Sequence, residues 1–345
     1  SQNHEGIIEL ESSSELGLSV SDVMDLNDPI IEIEITPNRG DCLGVRGVAR
    51  DLATAGMGKL KDLDFKLNEG EFDSIINWHV DLNEDEKHLC PKIFGRSFTS
   101  LKNVESPLWL KNRLIAVDQR PISSIVDITN YIMIDIGRPL HAYDIDKING
   151  NTLRITKSKK HDNFFALNGN TYELDDNMLV ICDAQGVDDL AGIMGGERTG
   201  VTKDTTRMFL EAAIFDPVSI ANTGRKLNLH SDARYRFERG LDYNSPELVM
   251  HYAAEMINKI CGGKFSKIVN FKLEQKNKII KFDPNIIYQL TGVKIENKLS
   301  KTILENLGFK ITSKVNFWDI TPPSWRPDID GIADIVEEVV RINGY

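Results

Sequence analysis

Leu179-Val180-Ile181-Cys182 and Met208-Phe209-Leu210 bracket the glycine-rich stretch Gly192-Ile193-Met194-Gly195-Gly196-Glu197. The two apolar runs have strand length and read as buried strands, with the glycines forming a turn between them. Helical patterns lie on both sides. Pro121-Ile122-Ser123 opens a helix that continues through Ile125, Ile128, Thr129 and Ile132. A Glu- and Ala-rich helix follows Ser245-Pro246 and ends near Cys261-Gly262-Gly263. Short strands interleaved with helices indicate a mixed α/β domain, assigned to residues 67–270.

Residues 1–66 read as a partial N-terminal structural domain. Ile30 to Ile35 reads as a strand, with Ile and Glu alternating from Ile31 to Ile35. Thr36-Pro37-Asn38-Arg39-Gly40 is a turn, Asp41 an N-cap, and Leu43, Val48, Ala49 and Leu52 a helical stripe. Gly56 to Asp64 has a linker's composition. Residues 271–345 form a third unit. Ile279 to Phe282 is a strand, and Asp283-Pro284 starts the first of two short helices, which end at Gly292 and Gly308. Phe309–Ile311 and Trp318–Ile320 are strands, and a last helix spans Ile332 to Ile342. This order suggests a winged-helix-like module. The fold class is therefore α+β, multidomain.

With 345 residues the chain is long enough for two or three domains. No apolar run is long enough to span a bilayer, and Ser1 to Leu10 lacks the basic start and apolar core of a signal peptide. Cys42, Cys90, Cys182 and Cys261 form no C-x-x-C pair, which argues against zinc and for reduced thiols in a cytoplasmic protein. Lys and Arg total 41 against 52 Asp and Glu, a net charge of −11 that argues against general nucleic-acid affinity. A local basic groove, or a partner supplying most nucleic-acid contacts, is compatible with it.

Several further stretches occur in a telling order. They are Ile35-Thr36-Pro37-Asn38-Arg39-Gly40-Asp41-Cys42-Leu43, Arg120-Pro121-Ile122-Ser123, Asp127-Ile128-Thr129-Asn130-Tyr131 and Pro139-Leu140-His141-Ala142-Tyr143-Asp144. Gly195-Gly196-Glu197, Tyr235-Arg236-Phe237-Glu238-Arg239-Gly240, Pro323-Ser324-Trp325-Arg326-Pro327-Asp328 and Val336-Glu337-Glu338 follow. In this order they resemble the beta subunit of bacterial phenylalanine–tRNA ligase, from about Ile30 to Tyr345. The resemblance implies a central fragment of a longer subunit, with an oligonucleotide-binding domain upstream and synthetase-like and anticodon-binding domains downstream. It also implies an alpha2-beta2 heterotetramer, phenylalanine tRNA as partner, no membrane, and Mg2+ in the intact enzyme. ATP would be used at the alpha-subunit site, and no Gly-x-x-x-x-Gly-Lys loop occurs in this chain.

The resemblance further implies that residues 67–270 hydrolyse tyrosine mischarged on phenylalanine tRNA. By motif position the catalytic residues would be His141 and Glu211. Arg120, Thr129, Asn130, Pro139, Gly195, Ser231 and Ala233 would bind substrate, Ser231 standing where threonine is common. His141 would orient or activate water, the Gly195-Gly196 amides would approach the substrate, and Glu211 would read tyrosine's hydroxyl. Each residue also has a structural reading. His141 fits a turn, Glu211 a helix cap, and Arg120 a pair with Asp118 or Asp127. Thr129 and Asn130 would then bond backbone locally, and Gly195-Gly196 would be only a tight turn.

Near the C-terminus, Ile332, Ile335, Val336 and Val339 share one helix face, and Asp334, Glu337, Glu338 and Arg341 share the opposite one. The resemblance assigns magnesium to Asp328, Asp334, Glu337 and Glu338; spacing alone favours a solvated face with a Glu337–Arg341 pair. Two other functions fit the sequence: a non-catalytic tRNA- or protein-binding module, and a free-standing tRNA-editing protein. The third unit's helices carry no dense Lys/Arg stripe, which weakens the first of these.

Overall fold

The computed structural model describes residues 16–23, 27, 29–275 and 278–345. The polar stretch Ser1–Leu10 lies outside the described residues. The N-terminal part contains a single turn of helix, α1 (Val20–Val23), and α2 (Val45–Thr54). The central part then runs β1 (Asn77–Val80), β2 (Lys92–Thr99), α3 (Leu108–Ala116), α4 (Ser124–Ile136), β3 (His141–Asp144) and β4 (Thr152–Lys157). It continues with β5 (Asn163–Phe165), β6 (Thr171–Glu173), β7 (Leu179–Cys182), β8 (Val187–Leu190), β9 (Met194–Gly195) and β10 (Met208–Ile214). It closes with α5 (Pro217–Lys226), α6 (Asp232–Phe237), α7 (Ser245–Cys261), β11 (Lys264–Phe265) and β12 (Val269–Lys272). The last part is β13 (Ile280–Phe282), α8 (Ile286–Thr291), α9 (Asn297–Asn306), β14 (Lys310–Ser313), β15 (Trp318–Thr321) and α10 (Ile332–Asn343).

Two five-stranded sheets and a two-stranded β5–β6 ribbon make the central domain. One has the order β1-β4-β7-β8-β9, the other β11-β2-β10-β3 with β12 also on β2. Strand β10 is buried along its whole length, so it has two apolar faces. Phe209 and Ala213 point to the core shared with the first sheet, beside Leu153, Val180 and Leu190. Met208, Leu210 and Ala212 point to the opposite core, against Ile125 and Ile128 of α4 and Val249 and Ala253 of α7. Each such fully buried side chain contributes about 1.5–3 kcal/mol of transfer free energy. The period of two thus sets Glu211 on the face between the sheets, where Phe209 and Ala213 also point.

The last part is a three-stranded sheet, β13-β15-β14, packed with α8, α9 and α10 around Phe282, Leu304, Trp318 and Val339. This agrees with the α+β, winged-helix-like reading. Strand β12 pairs with β2 of the central sheet, so a boundary after residue 270 would cut a strand, and the junction lies beyond Lys272.

The expected strand at Ile30–Ile35 is absent. The residues have no regular structure, and Ile30, Ile31 and Ile33 are exposed. Alternation needs a partner strand to become a ladder, and none among the described residues pairs with it. The turn after Thr36 is present, with the Arg39 amide donating to Thr36 O. Asp41 does not cap the helix: α2 starts after Gly44, because Asp41 is engaged by the Arg39 guanidinium. The Gly192–Glu197 turn is confined to its first residues, since Met194–Gly195 forms β9 on β8.

Gly44 shows how α2 docks. A Cβ there would sit 2.3 Å from the Gly137 amide nitrogen, at the left-handed C-cap of α4 (φ 79°). Backbone meets backbone, so neither side can yield by a rotamer change. Gly44→Ala should cost about 1–3 kcal/mol, measured by urea unfolding. An unchanged midpoint would show that this approach is not needed.

Candidate functional site

The register of β3 on β10 sets His141 opposite Glu211. Strand periodicity puts Tyr143 on the same face as His141. From the first sheet, β8 brings Asp189 to these three side chains. The Tyr143 hydroxyl donates to Asp189 Oδ2 at 3.2 Å, and His141 Nε2 lies 3.6 Å from the same oxygen. The Tyr143 hydroxyl also lies within hydrogen-bonding reach of Glu211. The His141 and Tyr143 rings meet edge to face, with centroids 4.4 Å apart. Gly195 covers the imidazole: a Cβ there would lie 2.2 Å from His141 Cε1. Arg138, also buried, donates to Ser245 Oγ at 2.9 Å and to the carbonyls of Ala213 and Asp242. It is the positive charge nearest in effect to Glu211.

Burial governs the charge states. It lifts Glu211 to about 8, against a smaller lowering by Arg138 and the Tyr143 hydrogen bond. Asp189 is raised too, first by burial and then by Glu211. Two carboxyls this close in a dry space do not both ionise at neutral pH. Burial also depresses His141 to about 4, so its imidazole is neutral at pH 7. For Glu211 the folded value lies above the unfolded 4.5, so its contribution to stability is complete below 4.5 and lost as pH rises towards about 8. For His141 the folded value lies below 6.5, so its contribution is present above 6.5 and lost as pH falls towards about 4. Glu211→Gln should therefore flatten the stability loss between about pH 4.5 and pH 8 in urea titrations. An equal alkaline loss in the variant would place its origin elsewhere.

The structure gathers the anticipated residues unevenly. His141, Glu211 and Gly195 meet directly. Ser231 caps α6, accepting from the Arg234 amide at 3.0 Å, and its hydroxyl donates to Ile193 O at 2.6 Å beside Gly195. Ala233 packs against the inter-sheet core. Arg120 is exposed and forms no ion pair among the described residues. Asp127, one of its two expected partners, is taken by Ser106 Oγ and the Ile122 amide. The chain beside Arg120 does reach α6, since Gln119 Nε2 donates to Asp232 Oδ2 at 3.2 Å. Thr129 donates to Val126 O at 2.7 Å, the local backbone bond of its structural reading. Asn130 is half-buried on α4, and Pro139 is buried in the turn leading to β3. Glu211 is not the strand-end carboxylate that a cap on a neighbouring helix would need, because it lies in the middle of β10. The Gly196 amide already donates to Asp188 O, so it is not a free donor to a substrate.

Asp189, Tyr143 and Arg138 were missed in the sequence. A signal existed for the first: Val187-Asp188-Asp189-Leu190 carries two acids inside a strand-length segment. Asp188 is held with Asp183 by Arg198, so only Asp189 faces His141.

The four acids assigned to magnesium do not converge. Asp328 receives the Arg326 guanidinium at 2.8 and 2.7 Å. Asp334 accepts from the Asp330 and Gly331 amides at the start of α10. Glu337 is exposed. Glu338 is buried rather than solvated, and holds both Arg326 and Arg341. Arg341 pairs with Glu338 and Asp51, not with Glu337. Asp328, Asp334 and Glu338 are already engaged by guanidiniums or amides and Glu337 faces solvent, so this donor set does not fit a hard cation. Among the described residues only Asp41, Cys42 and Asp51 bring ligand atoms together, and Arg39 bonds to all three.

These arginines belong to a joint between three segments of the chain. Arg341 reaches Asp51 at 2.7 Å, and the Arg50 guanidinium lies over the Trp325 ring at 4.2 Å. Arg236 donates to Leu43 O, and the Tyr243 amide donates to Ser324 O. The stretches from Thr36 to Leu43, Tyr235 to Gly240 and Pro323 to Asp328 are thus neighbours in space.

Comparison with known proteins agrees with this layout. The B3/4 domain family model matches residues 89–262, and the tRNA synthetase B5 domain matches 280–345. The phenylalanine–tRNA ligase beta subunit of Paramagnetospirillum magneticum is 45% identical over 345 residues, covering 100% of this chain and 43% of that protein. That of Cereibacter sphaeroides is 44% identical over 345 residues, covering 99% of this chain and 42% of the relative. The chain thus spans about two fifths of the length of these relatives. A crystal structure of an N-terminal fragment of the phenylalanyl-tRNA synthetase beta subunit from Pyrococcus horikoshii is 17% identical, covers 95% of each chain and has a TM-score of 0.46. The chain belongs to the B3/4 domain family. Within it, the chain belongs to the family of phenylalanine–tRNA ligase beta subunits. No helix among the described residues is long and apolar enough to cross a membrane.

Proposed function

We propose that the central domain is the proofreading hydrolase of a cytoplasmic phenylalanine–tRNA ligase, removing tyrosine mischarged on phenylalanine tRNA. The observation that carries this reading is the facing pair of half-buried His141 and buried Glu211 between two sheets, with Gly195 against the imidazole. In the ligase the chain would act with an alpha subunit in an alpha2-beta2 assembly, where ATP-dependent aminoacylation takes place. The magnesium of the intact enzyme would not use Asp328, Asp334, Glu337 and Glu338 together in their present arrangement, since arginines and amides occupy three of them and Glu337 faces solvent.

The reaction is ester hydrolysis. The water oxygen bonds to the ester carbonyl carbon, the carbon–oxygen bond to the ribose breaks, and the water's proton ends on the ribose oxygen. A neutral His141 accepts a hydrogen bond from that water and orients it. Glu211 reads the amino acid. Held protonated at neutral pH, it both donates to and accepts from a phenol hydroxyl. Phenylalanine offers no such partner and leaves a buried polar group unpaired, at about 1–3 kcal/mol. An apolar synthetic pocket rejects an added hydroxyl only weakly, so the editing site supplies the opposite selection.

The test is deacylation of tyrosyl- and phenylalanyl-tRNA by the intact ligase. Tyrosyl ester should be hydrolysed and phenylalanyl ester spared. His141→Ala should lower the rate by about 10²–10⁴-fold, the range of a lost acid–base group. Glu211→Ala should narrow the preference for the tyrosyl ester by about 10–10²-fold, the equivalent of one lost hydrogen bond. Equal rates on both esters in the unaltered enzyme would remove the role given to Glu211.

A further inference from the structure

We propose that Asp189 is the positioning residue for His141, taking the imidazole Nε2 so that ring plane and tautomer are fixed and Nδ1 is left for the water. The role rests on the hydrolytic reading above, but the contact itself does not.

The geometry is specific. His141 Nε2 is buried and has no hydrogen-bond partner among the described residues. Leaving such an atom unsatisfied costs about 1–3 kcal/mol, so a group within reach is expected to take it. Asp189 Oδ2 lies 3.6 Å away, on a side chain that is 5% exposed. The same oxygen accepts from the Tyr143 hydroxyl, and the Tyr143 ring meets the imidazole edge-on at 80°. The three side chains therefore each touch the other two. His141 keeps 20% of its side-chain surface exposed while Nε2 has none, so the open part of the ring faces away from Asp189. Catalytic hydrogen bonds are commonly long without substrate and tighten when it binds. Closing 3.6 Å to an ordinary hydrogen bond requires a shift of under about 1 Å.

Asp189 also comes from the other sheet. His141, Tyr143 and Glu211 belong to β3 and β10, whereas Asp189 belongs to β8. Its neighbour Asp188 is held away by Arg198. A strand that exposes one acid to Arg198 and the next to His141 orients both by its own pleat. A positioning carboxyl acts through another residue, so it alters turnover more than binding.

The test combines a spectroscopic and a kinetic readout. The chain is labelled with ¹⁵N-histidine, and the His141 signals, one set of seven, are assigned by their loss in His141→Gln. Asp189→Asn should turn a single His141 tautomer into a mixture and leave the other histidines unchanged. Tyr143→Phe, which removes the hydroxyl holding Asp189, should do the same to a smaller extent and carries the test if the first variant does not fold. In the intact ligase, Asp189→Asn should lower kcat for tyrosyl-tRNA hydrolysis by about 10²-fold with KM changed less than about twofold. An unchanged His141 tautomer in both variants overturns the proposal, as does an altered tautomer with unchanged kcat. If the tautomer changes but the unaltered enzyme releases no tyrosine, the hydrolytic reading fails and the Asp189–His141 contact stands.

Discussion

Replacing Arg326 with methionine should cost about 3 kcal/mol of stability or more, the largest loss expected from any single change at the joint. The Arg326 side chain is 4% exposed and that of Glu338 is 2% exposed. The guanidinium bonds Glu338 at 2.5 and 3.1 Å and forks onto Asp328. It holds the Glu338 carboxyl below the ordinary glutamate value, with Arg341, against a burial effect that acts the other way. Without Arg326, a buried carboxylate keeps only the half-buried Arg341. Removing one partner of a buried pair is more damaging than removing both, because a charge is stranded. Arg326→Met together with Glu338→Leu should therefore lose less than Arg326→Met alone. Urea unfolding of both variants and of Glu338→Leu closes the cycle. A loss under about 1 kcal/mol for Arg326→Met would show that Glu338 is satisfied without it.

The second large effect falls on activity. Gly195→Ala should lower tyrosyl-tRNA hydrolysis by about 10²-fold. The new Cβ would lie 2.2 Å from His141 Cε1, 2.9 Å from Nε2 and 3.0 Å from Nδ1. The imidazole is a rigid ring, and the Tyr143 ring packs edge-on against it. The ring must move by roughly 1 Å, enough to misplace a group that orients water. Stability should fall as well, by about 1–3 kcal/mol, as for other overpacked sites. Comparing deacylation with aminoacylation in the same enzyme separates the two effects: the first should fall and the second should hold. Deacylation within about threefold of the original rate would show that the reaction tolerates a displaced His141.

Local pattern served the sequence reading well where local pattern decides structure. The helices around Ile125–Ile132, after Ser245 and from Ile332 all formed, as did the apolar strands at Leu179 and Met208. It failed where a partner distant in the chain decides. Ile31–Ile35 alternates but has no strand beside it among the described residues. Asp189 and His141 meet only because two separate sheets pack face to face, and no spacing within either segment encodes that. Glu338 illustrates a subtler limit. Helical spacing put it with Asp334 and Glu337, yet it also stands one residue before Val339 and three after Ile335, at the margin of the apolar stripe. Which side of that margin it joins depends on Arg326, contributed by the preceding loop.

The joint has a consequence for chimaeras. The last module meets the rest of the chain through Arg50 on Trp325, Asp51 on Arg341 and Asn38 on Asp328. Gly240 lies so close to Pro327 of this module that a Cβ there would come 3.0 Å from Pro327 Cγ. A module transplanted from a relative at Lys278 alone would arrive without the acids, guanidiniums and glycines it fits. A working graft has to exchange three sequence islands together, so heredity can swap this module only as a set.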